Sequence, residues 1–221
     1  MNGILYGVGV GPGDPELLTL KALKVLRSAD VVACPEKDGK AGVAFGIAEK
    51  VCPEIASAEK LLLSFPMKKD DLDAFHNSAA SAIASVLLSG RNVAFLTLGD
   101  TGFYSTFYYV AEILKKQGFK VEVVPGIPSF CAASAALRVP LVLGDEPVMV
   151  TAGEFADFDG TLVILKAGGK LASLKESISG VCPDSSVYLV TNCGMEDEQV
   201  TEGLENIPDS AGYFSILIVK R

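Results

Sequence analysis

The sequence predicts an α/β protein made of two α/β domains, and three observations carry that prediction. Short apolar runs with β-type residues, at residues 4–10 (ILYGVGV), 93–98 (VAFLTL) and 120–124 (KVEVV), alternate with segments of helical length and pattern. Each of these runs stops at a loop bearing glycine or proline. Residues 139–147 (VPLVLGDEP) carry two prolines, a glycine and adjacent acids, and read as a linker between a domain over residues 1–142 and a smaller one over residues 143–221. With 221 residues, 49% of them hydrophobic, the chain can bury a substantial core.

The first strand runs directly into Gly9-Val10-Gly11-Pro12-Gly13-Asp14-Pro15. A GxGxxG fingerprint starting at Gly9 would need its last glycine where Asp14 stands. A carboxylate there repels a pyrophosphate, and Pro12 lacks the N–H that a phosphate cradle would use. The loop therefore suits a ligand without phosphates, or else serves only to pack the strand on its helix. Asp14 followed by Pro15 has the pattern of a cap and first position, and Thr19 is placed to cap a longer helix over Leu20, Leu23 and Leu26.

Residues 29–33 (ADVVA) form a second short strand whose exit carries Lys37 and Lys40, facing an acidic ligand or solvent. A helix over AGVAFGIAEKV and a strand over residues 60–65 are expected next. An alanine-rich helix over residues 71–88 follows, ended by Ser89-Gly90.

Residues 93–98 have the unbroken apolar pattern of a strand buried on both faces. It stops at Gly99-Asp100-Thr101-Gly102, and an aromatic-rich helix restarts near Ser105 or Thr106 and ends at Gly118. In open α/β sheets, ligands sit outside the carboxyl ends of the strands. This turn is the first candidate binding loop, the alternative being an ordinary β-to-α turn. The exit of strand 120–124, PGIPSF, leads into the small-residue helix CAASAAL, whose free N–H groups can meet a carboxylate. Beyond the linker, residues 148–151, 161–165, 187–191 and 213–219 read as strands and residues 171–178 as a helix.

The net charge of -8 argues against general nucleic-acid or anionic-membrane binding. No apolar run reaches the roughly 18 residues of a membrane span, and the first residues lack a basic region and cleavage site, so a soluble cytoplasmic protein is expected. Five widely spaced cysteines without a CxxC pair fit reduced thiols, with no metal site expected. His76 is the only histidine, which disfavours triads and His-rich metal sites, and its polar surroundings, DDLDAFHNS, predict a solvated surface position.

Three segments together, GVGVGPGDPELLTLKA, LGDTGFYSTF and VVPGIPSFCAASAAL, resemble the successive motifs of the tetrapyrrole methylases, S-adenosylmethionine-dependent enzymes of cobalamin and sirohaem synthesis. The resemblance runs through the whole chain. The YST after the Gly-Asp turn and the PSFCAA segment are most similar to methyltransferases acting at C20 of precorrin-2 or cobalt-factor II. Many members have Pro after Gly-Asp, where Thr101 stands here, and this departure points toward the cobalt-containing, oxygen-independent branch.

The resemblance implies two α/β domains with S-adenosyl-L-methionine in the cleft between them, released as S-adenosyl-L-homocysteine, and a homodimer. It implies cofactor contacts at Pro12, at Gly99, Asp100 and Thr101, at Tyr104, and at Ser129 and Phe130. In the second domain it implies Lys166, Ala167 and Cys193, with a slip of one residue to Gly194 open. It assigns no catalytic residue; Asp100, Tyr104 or water is the expected acceptor of the bridge proton. Lys37, Lys40 and Arg138 are the candidate partners of the substrate's eight carboxylates. Other readings are a sibling methylase acting at another carbon such as C11, a relative of diphthine synthase with a protein substrate, a nucleotide-binding dehydrogenase, which the broken fingerprint disfavours, and a non-catalytic carrier.

Overall fold

A computed structural model describes residues 1–37, 39–64 and 71–221, without the side chain of Lys37. The chain divides into two compact units, Met1–Pro128 and Ser129–Arg221.

In the first unit the elements run β1 (Ile4–Gly9), α1 (Leu20–Ser28), β2 (Val31–Lys37), β3 (Lys40–Ala41), α2 (Val43–Val51), β4 (Glu59–Leu63), α3 (Leu72–Leu88), β5 (Val93–Thr97), α4 (Phe107–Lys116) and β6 (Lys120–Val124). Phe65, expected at the end of the fourth strand, lies outside the described residues. The sheet has the order β3-β2-β5-β1-β6, with β4 also paired to β2. Its pairs are parallel apart from the short β2–β3 hairpin.

Side-chain alternation along the strands builds a core on each face. Leu5, Val31, Ala33, Val93 and Phe95 pack with Ala80, Ile83 and Leu87 of α3 and Phe107, Val110 and Leu114 of α4. Val8, Val32, Cys34, Ala94 and Leu96 pack with Ala22 and Leu26 of α1 and Ala44, Ile47 and Ala48 of α2. The chain thus leaves β1 toward one face and leaves its neighbour β5 toward the other. Such a divergence between adjacent parallel strands is a topological switch point, where open α/β sheets bind ligands.

Local chemistry ends and starts these helices. The Asp14 side chain accepts the Glu16 amide at 2.8 Å, and Thr19 Oγ1 caps α1 through the Ala22 amide at 3.1 Å. After α4, Gly118 adopts φ 85°, and the Gly118 and Phe119 amides return to the carbonyls of Lys115 and Leu114. Glycine suits that left-handed C-terminal cap.

The second unit comprises α5 (Ser129–Leu137), β7 (Val148–Ala152), β8 (Thr161–Leu165), α6 (Leu171–Val181), β9 (Ser186–Thr191), β10 (Gln199–Glu202) and β11 (Ser215–Lys220). Its sheet has the order β10-β9-β11-β8-β7, so the last strand of the chain enters the middle. Within this sheet only β7 and β8 pair in parallel among the described strands. Ile216 and Ile218 face Phe130, Ala133 and Leu137 of α5, while Leu217 and Val219 face Leu171, Leu174 and Ile178 of α6. Residues 139–147 form no helix or strand. They are held on this unit by hydrogen bonds from the Lys220 ammonium to the Pro140 and Leu141 carbonyls and from Thr161 Oγ1 to the Leu141 carbonyl at 2.5 Å.

The solvated position expected for His76 is incorrect. His76 is 7% exposed and stacks flat on Tyr109, ring centroids 4.7 Å apart. Its sequence neighbours are polar, but the helical turn aims the ring at α4.

Candidate functional site

At the switch point of the first unit, three strand exits interlock. After β1, the Gly11 amide donates to the Gly99 carbonyl at 3.1 Å, and the Gly99 amide donates back to the Gly11 carbonyl at 2.7 Å. Both glycines have positive φ, 81° and 72°. The exit of β6 presses against both loops. A methyl group added at Gly126 would lie 2.1 Å from the Gly99 carbonyl oxygen, and one at Gly9 would lie 2.6 Å from the Gly126 amide nitrogen. Only backbone fits where these loops meet, so a side chain at Gly9 or Gly126 would force them apart.

Asp100 ties the cluster together. One carboxylate oxygen accepts the Gly102 amide at 2.7 Å and the other accepts the Gly126 amide at 2.8 Å. Thr101 is buried beside it, with 1% exposure, and Pro12 is buried in the first loop. Tyr104 sits at φ 48° and is 52% exposed. A bulky residue in this left-handed conformation is strained, and such strain concentrates where structure serves a site. The following residue anchors the turn: Ser105 Oγ lies 3.3 Å from Thr97 Oγ1 and accepts the Phe107 amide at 3.1 Å at the start of α4. Thus Pro12, Gly99, Asp100, Thr101 and Tyr104 gather at one edge of the sheet.

In the second unit, β8 and β9 flank β11 and end at the same edge, where β11 begins. Lys166 and Asn192, the residues after them, share positive φ, 56° and 51°. The Ala167 amide donates to the Ser215 carbonyl at 3.1 Å and the Asn192 amide to the Phe214 carbonyl at 2.8 Å, so both exits are pinned to the start of β11. Lys166 is exposed, with its ammonium 5.8 Å from the centre of the Tyr213 ring, whereas Ala167 is fully buried. Cys193 is 5% exposed. Burial, reinforced by the Glu198 carboxylate, pushes its thiol up to about 12, so the sulfur is a neutral packing group at neutral pH. The next amide, Gly194, donates to Glu198 Oε2 at 2.7 Å. Ser129 and Phe130 open α5: Ser129 is half-buried, and Phe130 packs toward Val163 and Ile218 of the sheet.

Three participants escape a reading by residue type. Gly9, the last residue of β1, and Gly126 carry no mark in the sequence of their mutual contact, which exists only because β6 pairs beside β1. The start of β11 is likewise invisible as a platform for Lys166–Ala167 and Asn192–Cys193. The repeated pattern of a strand followed by a glycine-bearing exit was the available signal.

Similarity to known proteins follows the same outline. Residues 4–207 match the profile of the family described as Tetrapyrrole (Corrin/Porphyrin) Methylases. A Methanocaldococcus jannaschii protein named "Probable cobalt-precorrin-2 C(20)-methyltransferase" is 38% identical, covering 98% of this chain and 96% of that protein. The Sinorhizobium sp protein named "Precorrin-2 C(20)-methyltransferase" is 35% identical, over 98% and 95%. A crystal structure of a uroporphyrin-III C-methyltransferase from Thermus thermophilus, complexed with S-adenosylhomocysteine, shares the fold at a TM-score of 0.73 and 21% identity, over 99% of this chain and 92% of that one. A family match that covers residues 4–207, with the motif glycines meeting at the switch point as described, places this chain among the tetrapyrrole methylases.

Proposed function

We propose that this protein is an S-adenosylmethionine-dependent C-methyltransferase that methylates C20 of precorrin-2 or cobalt-factor II in cobalamin biosynthesis, the cobalt-bearing compound being its substrate. The carrying observation is its likeness, along nearly the whole chain, to two proteins named as C20-methyltransferases, the more similar of them named for the cobalt form. Thr101 in place of proline supports the same branch.

The residues suit S-adenosylmethionine, a sulfonium joined to an adenosine and a zwitterionic amino acid. Backbone groups dominate the first unit's loops, and Pro12 with the engaged Asp14 makes a poor phosphate cradle. When bound, the cofactor supplies an electrophilic methyl group, and S-adenosylhomocysteine remains. Pro12, Gly99, Asp100, Thr101, Tyr104, Ser129, Phe130, Lys166, Ala167 and Cys193 are the proposed cofactor residues.

Methyl transfer to an electron-rich bridge carbon mainly requires alignment and exclusion of water. The proposed residues are equipped for that and contain no strong base. Cys193 holds its proton, and both Asp100 oxygens already accept amides. That occupancy favours water over Asp100 as acceptor of the C20 proton. Lys40 and Arg138, both exposed, and Lys37 at the end of β2 are the proposed partners of the substrate carboxylates. The active form is proposed to be a cytoplasmic homodimer.

Anaerobic incubation with methyl-labelled S-adenosylmethionine and either precorrin-2 or cobalt-factor II tests the reading, with the label located by NMR. Label at C20 of cobalt-factor II is expected. Label at another carbon makes the protein a sibling methylase, and absence of transfer to both compounds overturns the assignment.

A further inference from the structure

Asp100 has a geometry that contact with a ligand does not by itself require. Its two oxygens reach two different loops: one closes the turn after β5 through Gly102, and the other crosses to Gly126 after β6. The crossing matters because β6 is the outermost strand of its sheet, supported along its length by β1 alone among the described strands. Its exit is also pressed closely onto Gly9 and Gly99, leaving no room for a side chain. Amide hydrogen bonds to a carboxylate are stronger than neutral ones, and here they join two backbone segments in one arrangement.

We infer that Asp100 is a positioning residue: its carboxylate ties the β6 exit to the β5 exit, and this tie sets the affinity of the loops for S-adenosylmethionine. The inference rests on the cofactor reading above. Loops already ordered in the binding arrangement spare the ligand the cost of ordering them.

The test pairs two measurements on wild type and Asp100→Asn: S-adenosylhomocysteine affinity by calorimetry, and Gly126 amide hydrogen exchange in the ligand-free protein by NMR. Asparagine preserves size and one acceptor oxygen but turns an NH2 group toward one of the two amides. The expected result is an affinity loss of about tenfold, the scale of one lost charged hydrogen bond, together with faster Gly126 exchange before ligand is added. Asp100→Ser, which removes the carboxylate without adding bulk, supplies the same readouts, alone if the asparagine variant does not fold. A Gly126 amide unchanged in both Asp100→Asn and Asp100→Ser overturns the inference, because any affinity loss would then come from direct contact. Faster exchange with unchanged affinity overturns it as well. A wild type that binds no S-adenosylhomocysteine, while the variant still loosens Gly126, removes the cofactor reading and supports the tie itself.

Discussion

A methyl group at Gly126 would meet the Gly99 carbonyl oxygen at 2.1 Å and Gly9 Cα at 2.8 Å, all backbone atoms that no rotamer change can move aside. Gly118 offers the contrast, with φ 85° but no atom within 4 Å of an added methyl. The two positions therefore separate close approach from conformational strain. Gly118→Ala is expected to cost about 1 kcal/mol of stability, the penalty of a left-handed alanine. Gly126→Ala is expected to cost about 1–3 kcal/mol, as overpacking does, and to abolish S-adenosylhomocysteine binding that Gly118→Ala retains. Urea unfolding and calorimetry on the two variants check both statements. The sequence marks both residues as turn glycines, yet the distinction lies in the Gly9 and Gly99 backbones, which only strand pairing brings to Gly126.

At the scale of elements, the α3–α4 contact carries a pH dependence. Burial pushes the His76 pKa below its ordinary 6.5, with the Asp73 charge opposing the shift. Near and below pH 6.5 the unfolded chain thus binds more protons here than the folded one, so this contribution to stability is present above 6.5 and declines as the pH falls. His76→Phe retains an aromatic ring against Tyr109 and Phe75 and removes the titration. The urea midpoint of wild type is expected to fall more than that of His76→Phe between pH 7.5 and pH 5.5; equal falls would refute the assignment. The histidine's burial was illegible locally because its partner, Tyr109, belongs to another helix. The small strands β3 and β10 were unreadable for a related reason. Lys40–Ala41 and Gln199–Glu202 lack an apolar pattern and form because a neighbouring strand offers unpaired backbone groups.

At the scale of the whole molecule, a homodimer is expected to have twice the 23.1 kDa of the chain by light scattering, and a mass of one chain at micromolar concentration would exclude it. Composition, the alternation of apolar runs with helical segments and the glycine-bearing exits were enough to state an α/β fold and to pick out the loops after β1, β5 and β6. Those features are local, because each depends on the preferences of a few adjacent residues for strand, helix or left-handed turn. Residues such as Asp14, Thr19 and Gly118 could be given their capping roles from neighbours alone, and the structure bears these out. The order β3-β2-β5-β1-β6, the entry of β11 between β8 and β9, and the reach of Asp100 to Gly126 were decided by tertiary structure. They depend on which distant segments share a sheet or a core, a choice made by the collective burial of apolar faces and the pairing of backbone groups, and no short stretch of sequence records it.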